Sequence, residues 1–139
     1  MRIRRDAKIE LISRVPLFEH CSRRELAAIA AIADQVELPE GRVLVKEGEL
    51  GREFFVLVDG TVEVRKGAQQ LAMLRAGDFF GEIALVSNSP RMATVETVSP
   101  VRALVVSSRD FWTLLDESPR TQRKILQAVG DRLAQIVPS

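Results

Sequence analysis

Gly77-Asp78-Phe79-Phe80-Gly81-Glu82-Ile83-Ala84-Leu85, continued by Pro90-Arg91-Met92-Ala93-Thr94-Val95, is the stretch around which this chain is read. Two glycines, a carboxylate and an arginine stand in an otherwise apolar region. Gly81 allows a backbone geometry that a Cβ would obstruct. Residues 82–85 can begin a short helical turn, whose free N–H groups point at whatever lies before it and favour an anion. Arg91 adds a planar fork of donors suited to phosphate. Glu82 is wrong for phosphate but right for sugar hydroxyls. A phosphate beside a ribose is the simplest ligand that wants both.

Outward from this stretch the chain consists of short β-rich runs punctuated by turns. Before it come 36–38, 43–45, 53–58, 61–65 and 69–74. After it come 94–98 and 101–106, read as a last pair separated by Ser99-Pro100. Asp59-Gly60 between apolar runs predicts a hairpin. Gly41, Gly48, Gly51, Gly60 and Gly77 are read as turn residues. About eight short, closely spaced strands indicate a small antiparallel sandwich or roll, with the stretch 79–95 as its one non-strand insertion.

Helical patterns flank the strands. Residues 7–15 predict a short helix stopped by Pro16. Ser22-Arg23-Arg24-Glu25 has the capping-box form, and Leu26, Ile29 and Ala30 follow at helical spacing. At the other end Ser107 or Ser108 caps a helix carrying Phe111, Leu114 and Leu115, with Trp112 expected to pack it onto the strands. Ser118-Pro119 starts another helix, along which Ile125, Val129, Leu133 and Ile136 recur, with Leu126 near the same side. Gly130 lies inside it and Pro138 limits it.

Composition excludes several classes. The 139 residues carry a net charge of +1, which makes no case for nucleic acid or an anionic membrane. The basic cluster Arg2, Arg4 and Arg5 reads as a solvated terminus. No apolar run approaches the roughly 20 residues of a membrane span, and no signal peptide is visible. A single cysteine, Cys21, forbids an internal disulfide and suits a cytoplasmic location. One histidine, His20, leaves His20 and Cys21 short of the three or four ligands a metal needs, and leaves no Ser-His-Asp arrangement beyond it. An enzyme is not expected, nor a metal or cofactor.

Phe-Gly-Glu-Ile-Ala-Leu followed by Pro-Arg-x-Ala-Thr-Val resembles the phosphate-binding cassette of cyclic nucleotide-binding domains. These modules occur in the catabolite activator protein, the cyclic-AMP-dependent kinase regulatory subunit and cyclic-nucleotide-gated channels. The order of helices, strands and helices agrees over nearly the whole chain. The resemblance implies an α+β fold: an eight-stranded antiparallel β-roll of jelly-roll type, flanked by N-terminal helices and two C-terminal helices. It implies a single domain over 1–139, with helices in 1–35, the roll in 36–107 containing the cassette 79–95, and helices in 108–137.

The same resemblance implies that Arg91 pairs with a cyclic phosphate and Glu82 accepts from the ribose 2′-OH. Gly81, Ile83, Ala84, Met92 and Ala93 would supply backbone donors and room. The alternatives are an Arg91 at the surface or paired with Glu82, and a Glu82 that stabilises the helix dipole. Met92 departs from the family, where Ala, Ser or Thr is commoner. The absence of threonine there favours cyclic AMP over cyclic GMP. Val64, Leu71 and Ala72 match positions that wall the base, or are simply core. Lid candidates on the last helix are Leu126, Val129, Gly130, Arg132 and Leu133, with a core or dimer face as the alternative for the leucines.

The expected function is a regulatory sensor of a cyclic purine mononucleotide that transmits occupancy by movement of the C-terminal helices to an effector this sequence does not name. The alternative is a degenerate roll that binds no nucleotide and serves as a docking or dimerisation domain, the partner then being a second copy or another protein. These residues leave no room for the helix-turn-helix of the family's transcription factors and include no membrane helix of its channels. A stand-alone sensor or a piece of a larger protein is therefore expected.

Overall fold

A computed structural model describes residues 2–136. The side chains of Arg2, Arg4, Arg5 and Ile136, and Pro138 altogether, lie outside the described residues. Helices α1 (Arg2–Ser13) and α2 (Arg23–Ile32) come first, joined by a 3-10 turn at Pro16–Phe18. Eight strands follow: β1 (Ala33–Leu38), β2 (Val43–Val45), β3 (Glu53–Asp59), β4 (Val62–Lys66), β5 (Gln69–Leu74), β6 (Phe79–Phe80), β7 (Thr94–Thr97) and β8 (Val101–Ser107). Helix α3 (Glu82–Ser87) separates β6 from β7, and α4 (Ser108–Glu117) and α5 (Pro119–Ile136) close the chain. The fold is an α+β roll of two four-stranded antiparallel sheets, ordered β1-β8-β3-β6 and β2-β7-β4-β5. Among the described residues no helix is long and apolar enough to cross a membrane.

The topology is one long antiparallel ribbon wound on itself. β1 pairs with β8, β2 with β7, β3 with β6 and β4 with β5. This corrects two sequence expectations. Asp59-Gly60 does not close a hairpin, because β3 and β4 belong to different sheets. Likewise β7 and β8 do not pair across Ser99-Pro100; both turns carry the ribbon from one sheet to the other. At the first crossing Gly60 has φ 95°, and a Cβ there would lie 2.3 Å from the Pro100 carbonyl oxygen. A crossing that tight is open only to glycine. The expected non-strand insertion itself opens with a strand, β6.

Local rules account for the helix starts. Ser22 Oγ accepts from the Glu25 N–H at 3.1 Å, and Glu25 Oε1 accepts from the Ser22 N–H at 2.9 Å. Ser107 caps α4 by accepting from the Asp110 N–H. Ser118 Oγ accepts from the Thr121 N–H at the start of α5. Helix α1 begins earlier than the sequence pattern predicts and ends at Ser13 rather than Val15.

Two apolar clusters sandwich the sheet of β3 and β8. Phe54, Val56, Leu104 and Val106 face the helices, meeting Ile12, Phe18, Ile29, Phe111, Leu114 and Ile125. The alternate residues Phe55, Leu57, Val101 and Ala103 face the interior of the roll, with Val45, Val62, Phe80 and Val95. Burial on both faces is why β3 reads as a continuous run, Phe54-Phe55-Val56-Leu57, instead of alternating. Trp112 does not join this packing. It touches Phe111 edge-on but is 49% exposed, because α4 turns Phe111, Leu114 and Leu115 inward and leaves position 112 on the outer side.

Candidate functional site

The cassette segment and residues of β2, β4, β5 and β7 wall a cavity of about 160 Å³. Gly81, with φ 95°, caps α3 and offers no side-chain cap to its first-turn amides. A Cβ on Gly81 would meet the Glu53 carbonyl oxygen at 2.8 Å and Arg91 at 2.9 Å. Helix α3 then divides its faces: Ile83 and Ala84 line the cavity while Leu85 packs among the helices. It therefore lies between the cavity and the C-terminal helices.

Arg91 is 7% exposed. Its guanidinium donates to the carbonyl oxygens of Gly81 at 2.8 Å and Glu53 at 2.6 Å. Its backbone is pinned as well: its N–H donates to the Glu49 carbonyl and its carbonyl accepts from the Gly48 N–H. Among the described residues no carboxylate lies within ion-pair distance of it. Burial pulls its pKa below the ordinary guanidinium value, opposed by the Glu53 and Glu82 carboxylates at longer range. Arg91 is a buried cation with neutral partners, and it borders the cavity.

Glu82 is 1% exposed and also borders the cavity. The alternative that it pairs with Arg91 is not what the structure holds. Its partner is Arg132 of α5, whose Nη1 donates to both carboxylate oxygens at 2.6 Å. The same guanidinium donates from Nη2 to the Phe79 carbonyl at 2.6 Å and sits 5.0 Å over the Phe79 ring. A carboxylate this buried needs such a cation nearby.

Every cassette residue singled out from sequence reaches the cavity: Gly81, Glu82, Ile83, Ala84, Arg91, Met92 and Ala93. So do the base-wall candidates Val64, Leu71 and Ala72. Of the lid candidates only Arg132 does. Leu133 does not line the cavity, since the next residue of a helix is turned about 100° from its neighbour. Val129 packs on the helical core, and Leu126 is 47% exposed. The last helix supplies a charge to the site instead of an apolar lid.

Four contributors were not anticipated as site residues, Leu74 of β5 among them. Val45 and Val95 join Val64 and Ala72 in one row across four strands, through the pairs Val45↔Val95, Val95↔Val64 and Val64↔Ala72. Residues directly opposite in a ladder share a face, so this row forms an apolar cavity wall. Gly51 is more than a turn residue. A Cβ there would lie 2.8 Å from the Ala84 Cβ and 3.0 Å from the Arg91 guanidinium carbon. Nothing in the sequence pattern separates it from the neighbouring turn glycines. Among the described residues no group of three or more His, Cys, Asp or Glu could hold a metal ion.

Residues 35–118 match the family described as Cyclic nucleotide-binding domain, and the chain belongs to that family. It is 40% identical over 110 residues to a cAMP-dependent protein kinase regulatory subunit of Mycosarcoma maydis, which covers 73% of this chain and 21% of that protein. A structure described as cAMP-bound PfPKA-R superposes with a TM-score of 0.78 at 26% identity, over 93% of this chain and 48% of that one. The regulatory subunit of a cAMP-independent protein kinase A from Trypanosoma brucei superposes with a TM-score of 0.82 at 18% identity, over 98% of this chain and 53% of that one. That last likeness is one of fold alone. The chain thus spans a fifth to a half of the length of these relatives.

Proposed function

We propose that this chain is a regulatory module that binds a cyclic purine mononucleotide, cyclic AMP before cyclic GMP, and passes occupancy to an effector through α5. The observation that carries this reading is the buried Arg91 guanidinium, which has carbonyl oxygens for partners and borders an apolar cavity. A buried cation whose nearest carboxylates, Glu53 and Glu82, stand beyond ion-pair distance is only partly compensated, and a phosphate in the cavity would relieve the remaining cost. The side-chain charges around the cavity support a particular kind of phosphate. Among the side chains that line the cavity, Arg91 and Arg132 against Glu82 leave one positive charge, with Glu53 acting on Arg91 from outside the lining, and this suits the single charge of a cyclic phosphodiester better than the double charge of a phosphomonoester. The Val45, Val95, Val64 and Ala72 row suits the face of a purine ring.

Transmission follows from the second arginine. Glu82 is the acceptor a ribose hydroxyl would use, and Arg132 of α5 already holds it. A ligand that engages Glu82 thus has a different interaction energy with different placements of α5. Only such a difference shifts an equilibrium. The alternative of a docking or dimerisation roll without nucleotide gains one point from the half-exposed Leu126 and none from the buried Arg91, which has only carbonyl oxygens as hydrogen-bond partners.

Titration calorimetry with cyclic AMP, cyclic GMP, 2′-deoxy cyclic AMP and 5′-AMP tests the reading. Cyclic AMP should bind most tightly, with the deoxy analogue and the monophosphate much weaker. Nucleotide at 100 times its Kd should add about 2.7 kcal/mol of stability in a thermal melt. No heat and no shift with either cyclic nucleotide would return the case to the docking alternative.

A further inference from the structure

Helix α5 is anchored in two places by different means, and Gly130 stands between them. Its first part is seated firmly. Thr121 and Ile125 are fully buried, Lys124 Nζ donates to the Pro16 carbonyl at 2.7 Å, and Val129 packs on the helical core. Beyond Gly130, Asp131 and Ala134 are exposed and Arg132 makes the polar attachment to Glu82 and Phe79. Nothing lies within 4 Å of where a Cβ on Gly130 would sit, and its φ is not in the left-handed region. No close approach and no backbone conformation requires glycine there. Yet glycine in a helix interior is disfavoured relative to alanine by a factor of about five.

We propose that Gly130 is a joint that divides α5 into a fixed stem, 119–129, and a strap, 131–136, that moves with Arg132. If α5 were one rod, carrying the backbone at Arg132 away from Glu82 would have to lever Ile125 and Val129 out of the core. A flexible point just after Val129 removes that coupling, so the strap shifts while the stem stays seated. Gly130 is then a positioning residue, acting on the site through Arg132. This deepens the proposed function and rests on it only for the identity of the ligand.

Amide hydrogen exchange on the whole chain, read separately over 119–129 and 131–136, tests the joint without any ligand. Arg132→Gln should raise exchange about tenfold or more across 131–136 and leave 119–129 unchanged. Adding Gly130→Ala to that variant should pull exchange in 131–136 back by about fivefold. Gly130→Ala alone should slow the same segment. Exchange that rises through both segments together, or that ignores Gly130→Ala, overturns the joint. Saturating cyclic AMP on the unaltered protein should change 131–136 and spare 119–129. A change that spreads equally into the stem also counts against it. If cyclic AMP does not bind, the proposed ligand is wrong, and the ligand-free comparison still decides the joint.

Discussion

Arg91 and Arg132 reach the same cavity from opposite parts of the molecule, and they are held differently. Arg91 belongs to the roll. Its side chain is gripped by two carbonyl oxygens and its backbone by the loop at Gly48 and Glu49, and among the described residues no carboxylate lies within ion-pair distance of it. Arg132 belongs to a terminal helix and already has its counter-charge in Glu82. The first is fixed and electrostatically unsatisfied, which suits an anchor for an incoming anion. The second is satisfied but borne on a separable element, which suits a reporter. A switch needs one of each: an anchor that does not move and a contact whose energy depends on what else is bound.

The largest effect should come from the anchor. Arg91→Ala should weaken cyclic AMP binding by about 2–5 kcal/mol while the melting temperature of the free protein stays close to wild type. Unchanged affinity by calorimetry would break the contrast at its first term. Arg132→Ala should behave in the opposite sense. It leaves the buried Glu82 carboxylate without its cation and should cost the free protein roughly 1–3 kcal/mol in denaturant titrations, softened by the partial exposure of Arg132. If both arginines affect only binding, or both only folding, the distinction between anchor and reporter fails.

Smaller effects sharpen the picture. Gly51→Ala forces a Cβ against Ala84 and the Arg91 guanidinium, an overpacking of about 1–3 kcal/mol that should appear in affinity as well as stability. A loss in stability alone would show that Arg91 can be displaced without consequence for the site. Ser22→Ala removes the α2 cap, costs about 1 kcal/mol of folding stability and should leave nucleotide affinity alone. Glu25 adds a pH signature. The Ser22 backbone hydrogen bond, against a smaller opposing desolvation, holds its pKa below the ordinary carboxylate value. Its stabilisation is therefore present above the unfolded-state pKa and fades as pH falls through the lowered folded one. Melting Glu25→Gln beside wild type across that acid range should show the two converging as the pH drops.

Much of the site was legible because it is nearly contiguous. Gly81, Glu82, Ile83, Ala84 and Arg91 lie within one cassette, and the needs of a helix start, a tight backbone turn and an anion are local. The capping box at Ser22 and the serine caps of α4 and α5 were legible for the same reason: a cap is settled within four residues. What failed was whatever depends on which segments meet. Asp59-Gly60 has the composition of a hairpin, but the choice between a hairpin and a crossing is made by β8 and β6, which claim the sides of β3. Trp112 looked like packing because aromatic residues carry large apolar area, yet the rotation of α4 decided which face was inward.

From its residues alone this protein is assigned an anion-binding turn, its arginine and its acidic neighbour, together with the strand and helix periods around them, since these rest on backbone conformations and contacts short in sequence. Tertiary structure alone gave Glu82 its partner from fifty residues away. It also gave the apolar wall its row of residues from four strands and showed that Gly51 has no room for a methyl group. Those outcomes depend on register and helix docking, and no local preference encodes either.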